Sequence, residues 1–306
     1  MLVARDVRKR YAAREVLRGV SLSVAAGEVF GFVGPNGAGK TTFLKTLVGV
    51  VRPEDGDVRI QGVDALRDPL AARRLVGYAP GDAALYDGLR VGELLRFAVG
   101  FHPDADLALG GELLERFALP PRMKVRHLSH GMRRKLLVAQ ALASGAPLLV
   151  LDEPMEGLDP EARHRVEELL REAAGRGRAV LFSSHDLPSV ERVADRVAFL
   201  RDGIVVAEGA VGEVLAEVSR LLWLRLRAPL GADDLPRAEG LDWEPAEPLV
   251  EGRARRWRLL FRGDLEDVLP VLASLPLLGI RDASGGLDEA FSVLYREPDE
   301  EGAARC

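Results

Sequence analysis

The chain has 306 residues and one cysteine, Cys306, at its very end. No disulfide can form within it, which fits a reducing compartment. Long apolar runs are missing as well. A stretch such as Pro147-Leu148-Leu149-Val150-Leu151 falls far short of the ~20 residues that span a bilayer, so the chain is not expected to cross a membrane by itself. Its first residues, Met1-Leu2-Val3-Ala4-Arg5-Asp6, lack signal-peptide organisation, and Cys306 has no three residues after it to make a lipidation signal. Nor is there an excess of positive charge. Residues 1–218 carry 30 basic and 30 acidic side chains and residues 219–306 carry 12 and 17, which together give the net charge of −5. A nucleic-acid partner is therefore not expected, and the acidic excess reads as a solvated face.

The hydrophobic fraction of 47% is ordinary for a globular protein, and the length suggests two domains of about 100–200 residues each. One stretch dominates. Gly34-Pro35-Asn36-Gly37-Ala38-Gly39-Lys40-Thr41-Thr42 fits G-x-x-x-x-G-K-[ST], the phosphate-binding loop. The residues before it, 28–33, read as a buried parallel strand, and those after it, 43–48, continue as a helix. Gly34, Gly37 and Gly39 allow a tight turn that aims backbone N–H groups at phosphate oxygens, and the helix N-terminus adds partial positive charge there. Lys40 would reach the β- and γ-phosphates of a nucleotide, and the Thr41 hydroxyl would hold Mg²⁺.

Along the rest of the chain, 2–8 and 20–33 read as strands, with 14–17 as a short extended piece between them. Tyr11 could stack on a base or be a plain core or surface tyrosine. Residues 90–144 look helical, with Val91, Leu94, Leu95 and Ala98 on one face, and Ser129 a preferred N-cap. The run 146–151 is a buried-strand pattern ending in Asp152-Glu153-Pro154, and 178–183 is a strand ending at Ser184-His185-Asp186. Asp202-Gly203 between two apolar runs signals a hairpin. Asp152 would hold Mg²⁺ directly or through water. Glu153 would polarise an attacking water. His185 also closes a strand, so it can converge on the same sheet edge, where ligands of parallel α/β sheets bind.

These residues resemble the ATP-binding cassette ATPases. Leu128-Ser129-His130-Gly131-Met132 is similar to the family's LSGGQ signature, and Gly157-Leu158-Asp159-Pro160 to its D-loop. Tyr11 matches the aromatic position that stacks on adenine, and His185 the switch histidine. The resemblance implies an α/β P-loop fold, a mixed-sheet core with a helical signature subdomain at about 82–145, covering residues 1–218. It implies ATP and Mg²⁺ as ligands and ATP hydrolysis, with Glu153 and His185 catalytic. Two cassettes would clamp the nucleotide head to tail, Ser129, His130, Gly131 and Met132 of one facing the γ-phosphate on the other. The partners implied are a second copy or a related ATPase, and a separate transmembrane permease on the inner face of the cell membrane, with residues 82–100 forming much of the docking groove. The alternatives are a non-transport cassette ATPase and a regulatory ATP-binding module.

The sequence departs from the family pattern in places. The expected Q-loop glutamine is Gly81, with Asp82 the neighbouring side chain that could substitute. His130 and Met132 replace Gly and Gln in the signature, and Met155 stands where a small polar residue is common. Residues 219–296 read as a small α+β domain, with strands at 221–227, 256–262 and 277–283 and helices at 264–275 and 287–295. Its order looks like the C-terminal extension of ABC-2-type cassettes. Residues 297–306 are expected to be a disordered end.

Overall fold

Every residue of Val29–Val33 is buried, which explains why this stretch shows no polar alternation. In the computed structural model the described residues are 1–82, 84–217, 220–238, 240–261, 265–282 and Leu287. The chain starts with β1 (Leu2–Tyr11) and β2 (Arg14–Val24), then enters β3 (Val29–Val33). Where the sequence reads 20–33 as one extended stretch, Gly27 takes a left-handed backbone (φ 75°) and splits it in two. Next come α1 (Lys40–Leu47), β4 (Asp55–Ile60), β5 (Val63–Asp64), α2 (Pro69–Arg74) and β6 (Val76–Ala79). The expected helical region consists of α3 (Val91–Val99), α4 (Leu107–Arg116) and α5 (His130–Ala143). After it follow β7 (Leu148–Asp152), α6 (Pro160–Gly175), β8 (Ala179–Ser184), α7 (Leu187–Val193), β9 (Arg196–Arg201) and β10 (Ile204–Ala210).

The chain divides into two units, Met1–Gly209 and Ala210–Cys306. The first holds an antiparallel sheet in the order β2-β1-β4-β5 and a six-stranded sheet in the order β10-β9-β3-β8-β7-β6. In the larger sheet β9, β3, β8, β7 and β6 run parallel. One core joins the two sheets around α1: Phe30 and Phe32 of β3, Phe43 and Leu44 of α1, and Leu17, Val20 and Ile60 of the antiparallel sheet. Parallel pairing has a direct consequence for function. Val33 pairs with Ser184 and Asp152 with Ser183, so the carboxyl ends of β3, β7 and β8 meet at one edge.

In the second unit, α8 (Val211–Glu217) precedes β11 (Arg220–Gly231), β12 (Leu241–Pro245), β13 (Arg253–Phe261), α9 (Leu265–Ala273) and β14 (Leu277–Asp282). The sheet is antiparallel in the order β12-β13-β11-β14. Alternation buries Leu222, Leu224 and Leu226 of β11 and Trp257, Leu259 and Phe261 of β13 against Val268 and Leu272 of α9. No strand is expected where β12 lies, and its residues are at most half-buried. The helix expected over 287–295 lies outside the described residues except for Leu287, which is buried, and so does the expected tail 297–306. Among the described residues, no helix is long and apolar enough to cross a membrane.

Candidate active site

The loop between β3 and α1 needs its glycines for contact as well as for conformation. Gly39 has φ 112°, and a Cβ there would lie 2.9 Å from the carbonyl oxygen of Val16. No side chain caps α1, so its first N–H groups point free into the loop. Lys40 is buried, and a buried ammonium must be paired. Its Nζ donates to Gly34 O at 2.6 Å and Pro35 O at 3.4 Å, and stands 3.3 Å from Glu153 Oε1.

The carboxylates at the end of β7 are held from below by Ser183. Its hydroxyl donates to Asp152 Oδ1 at 2.6 Å and accepts the N–H of Glu153 at 2.9 Å. Glu153 has a left-handed backbone, φ 49°, which costs a non-glycine residue about 1–3 kcal/mol. Its side chain lies between residues that follow β3 and β8. There Oε1 faces Lys40, and Oε2 lies 3.0 Å from His185 Nδ1. The other oxygen of Asp152, Oδ2, is buried and finds no hydrogen-bond partner among the described residues. Burial, and then the charge of Asp152, push the Tyr78 phenol well above its ordinary pKa, so it stays neutral beside this carboxylate.

These groups open onto a cleft of about 530 Å³. Pro35, Asn36, Gly37, Gly39, Lys40, Thr41 and Thr42 form one wall, with Asp152 and Glu153 at its floor. An orphaned carboxylate oxygen of Asp152 in a cleft that Thr41 also lines offers hard-oxygen donors of the kind Mg²⁺ takes. Among the described residues no three His, Cys, Asp or Glu side chains form a metal cage. A Mg²⁺ site completed by phosphate oxygens does not need one.

The remaining expected residues are distributed unevenly. Gly81 and Asp82 line the cleft, and a Cβ on Gly81 would fall 3.0 Å from Asp152 Oδ2. Tyr11 does not line it. The ring ends β1 at a turn where Ala12 has φ 51°, and Lys9 Nζ sits 5.3 Å from its centroid, while Arg14 and Val16 line the cleft instead. Ser129 caps α5 by accepting the Met132 N–H at 3.2 Å, and Asp159 caps α6 by accepting the Ala162 N–H at 2.8 Å. Lys135 joins the two segments, 3.5 Å from Asp159. Of the four signature residues only His130 lines this chain's own cleft. Three residues that motif reading passes over belong to the site: Ser183, Arg134 and Glu156. Ser183 and Arg134 carry a signal in hindsight. Each is polar and fully buried within an otherwise apolar face, so each had to be hydrogen-bonded.

A family model described as ABC transporter matches residues 17–156. The Nod factor export ATP-binding protein I of Burkholderia orbicola (strain AU 1054) is 42% identical over 211 residues, covering 67% of this chain and 69% of that protein. This chain belongs to the ABC transporter family. Another relative, the daunorubicin resistance ATP-binding protein DrrA3 of Streptomyces coeruleorubidus, is 39% identical over 214 residues, 68% of each chain. A solved structure of an ATP-binding subunit of an ABC transporter superposes with a TM-score of 0.65 at 33% identity, covering 70% of this chain and 91% of that one. The mixed-sheet fold expected from the sequence is therefore the family's own.

Proposed function

We propose that this chain is the ATP-binding and ATP-hydrolysing subunit of an ABC exporter, working through a separate membrane subunit. One observation carries the reading: Glu153 is poised between Lys40 and His185, beside an Asp152 oxygen with no partner. Backbone N–H groups of the loop 34–42 and Lys40 bind the phosphates. Thr41 and Asp152 would hold Mg²⁺, which would supply neutralisation of phosphate charge. Glu153 accepts the proton of the attacking water, and His185 holds that carboxylate in place. Ser129 and Gly131, which do not line this chain's cleft, serve the cleft of a second copy in an ATP-sandwich dimer, with Asp159 at the contact. Residues 1–218 act as the ATPase domain and 219–296 as an accessory domain. The pair docks on a permease at the cytoplasmic face of the membrane. The names of the exporter relatives support this reading.

The test is phosphate release by the purified protein with ATP and Mg²⁺, compared with Glu153→Gln. Loss of a positioned general base lowers the rate by about 10²–10⁴-fold, while nucleotide binding persists. Equal turnover by the two proteins refutes the role given to Glu153. Copurification with a membrane subunit and stimulation of turnover by it test the exporter assignment.

A further inference from the structure

Arg134 lies on α5, the helix whose N-cap is Ser129, and its side chain is almost fully buried. A buried guanidinium costs several kcal/mol unless its partners are specific, and the partners here are unusual. Nη1 donates to two main-chain carbonyls, Pro80 O at 3.0 Å and Asp152 O at 3.1 Å. Nη2 stands 3.5 Å from Glu156 Oε2. The last pair in the β6–β7 ladder is Ala79 with Leu151. The next rung would join Pro80 to Asp152, but proline has no N–H to donate. The guanidinium takes that rung's place and satisfies both carbonyls from outside the sheet.

The placement reaches the ends of β6 and β7 and the turn after them. One carbonyl is Asp152's own, with Glu153 next in the chain, and the other directly precedes Gly81. Glu156 closes the turn after Glu153, its N–H donating to Glu153 O at 3.1 Å. Gly81 adds no side chain beside Asp152, so the cation from α5 is what ties this loop to the strand end. We infer that Arg134 is a positioning residue: it fixes Asp152, Glu153 and the Gly81 loop to α5, so that the carboxylates keep the geometry that Mg²⁺ activation and turnover need. The inference rests on the ATPase reading above and adds a residue outside the family motifs.

The test uses the full chain with Arg134→Gln, Arg134→Lys, Glu156→Gln and the double variant. Four quantities are measured: Mg²⁺-free nucleotide binding, kcat, the half-activating Mg²⁺ concentration and the melting temperature. Arg134 touches no part of the phosphate loop, so in Arg134→Gln nucleotide binding stays within about twofold while kcat falls about tenfold or more and half-activating Mg²⁺ rises severalfold. Arg134→Lys, which keeps the charge but not the planar fork, falls between. Glu156→Gln loses less, and the double variant is no worse than Arg134→Gln, because the two residues act as one unit. A lowered melting temperature with kcat and Mg²⁺ activation within about twofold of wild type overturns the inference. So does a fall in kcat matched by an equal fall in nucleotide binding, or losses at the two positions that simply multiply. If Arg134→Gln does not fold, wild-type kcat in both Arg134→Lys and Glu156→Gln overturns it equally. A wild-type protein that binds nucleotide but never hydrolyses it fails the ATPase reading itself, and this inference with it.

Discussion

Replacing Ser183 with Ala removes one oxygen that serves both carboxylate residues. In the folded protein that hydroxyl donates to Asp152 Oδ1 at 2.6 Å and accepts from the Glu153 N–H at 2.9 Å, at a site fully shielded from water. Asp152 Oδ2 already lacks a partner, so the variant leaves that buried carboxylate with neither oxygen satisfied by this network. A hydrogen bond to a charged group contributes about 1.5–3 kcal/mol, and an orphaned buried N–H costs about 1–3 kcal/mol. Partial relaxation and water entry reduce the sum, so the expected destabilisation is about 2–4 kcal/mol. The catalytic effect follows from geometry. Glu153 is held in a left-handed backbone (φ 49°) by that N–H bond. Release lets the carboxylate drift from Lys40 and His185, and a drop in kcat of about 10²-fold, equivalent to ~2.7 kcal/mol, is expected. Urea unfolding gives the first number, and phosphate release over a Mg²⁺ titration gives the second along with a raised half-activating concentration. Should the variant lose stability yet keep wild-type kcat and Mg²⁺ dependence, the claim that Ser183 sets the carboxylate geometry is refuted.

Gly81→Ala places a Cβ 3.0 Å from Asp152 Oδ2; it should raise the half-activating Mg²⁺ concentration and leave Mg²⁺-free nucleotide binding unchanged, and an unshifted Mg²⁺ titration would count against the site. For the same reason Gly81→Gln, which restores the family's usual residue, is expected to slow basal hydrolysis too. Gly39→Ala meets both φ 112° and a carbonyl 2.9 Å away, so nucleotide affinity measured by fluorescence titration should drop by about 100-fold, or ~2.7 kcal/mol. Glu167 tests the scaffold behind α6. Burial alone would raise its pKa, but hydrogen bonds from Arg192 and Ser189 outweigh it and hold the carboxyl below its ordinary range. A depressed carboxylate contributes stability that is present above its unfolded pKa and lost as pH falls through the folded one. Glu167→Gln should therefore cost about 1–2 kcal/mol at pH 7, a buried-pair loss discounted for the half-exposed Arg192. The gap from wild type should narrow below about pH 4 in urea titrations.

Local rules were enough where one segment carries both a pattern and its reason. The phosphate loop is such a case: a buried strand, glycines at fixed offsets and a helix are adjacent in sequence, and the structure assembles them as read. Asp152 and His185 were legible because parallel strands place their carboxyl ends together. Ser183 and Arg134 were not, because their roles depend on cross-strand register and on a ladder that stops at Pro80. Neither is visible in a single segment. Tyr11 is not among the residues that line the cleft: its ring lies beside Lys9 next to the turn at Ala12, a local backbone detail that a motif position does not carry. In the second unit, β12 pairs only with β13 at the edge of the sheet and is shallowly buried, so it left little apolar pattern to read.

The position of Lys40 links occupancy of the loop to the contacts of Glu153. An ammonium has three donors, and here Gly34 O, Pro35 O and Glu153 Oε1 all stand within reach of them. A phosphate oxygen arriving at this loop must displace one of the three. The two carbonyls belong to the loop that cradles the phosphate and keep the side chain aimed, so the carboxylate is the partner to yield. On the proposed reading, once Lys40 turns to phosphate, Glu153 Oε1 is left open to accept a hydrogen bond from a water. His185 still holds Oε2, so the carboxylate keeps its place. The contact that recognises the triphosphate would then be the one that frees the carboxylate oxygen for the attacking water.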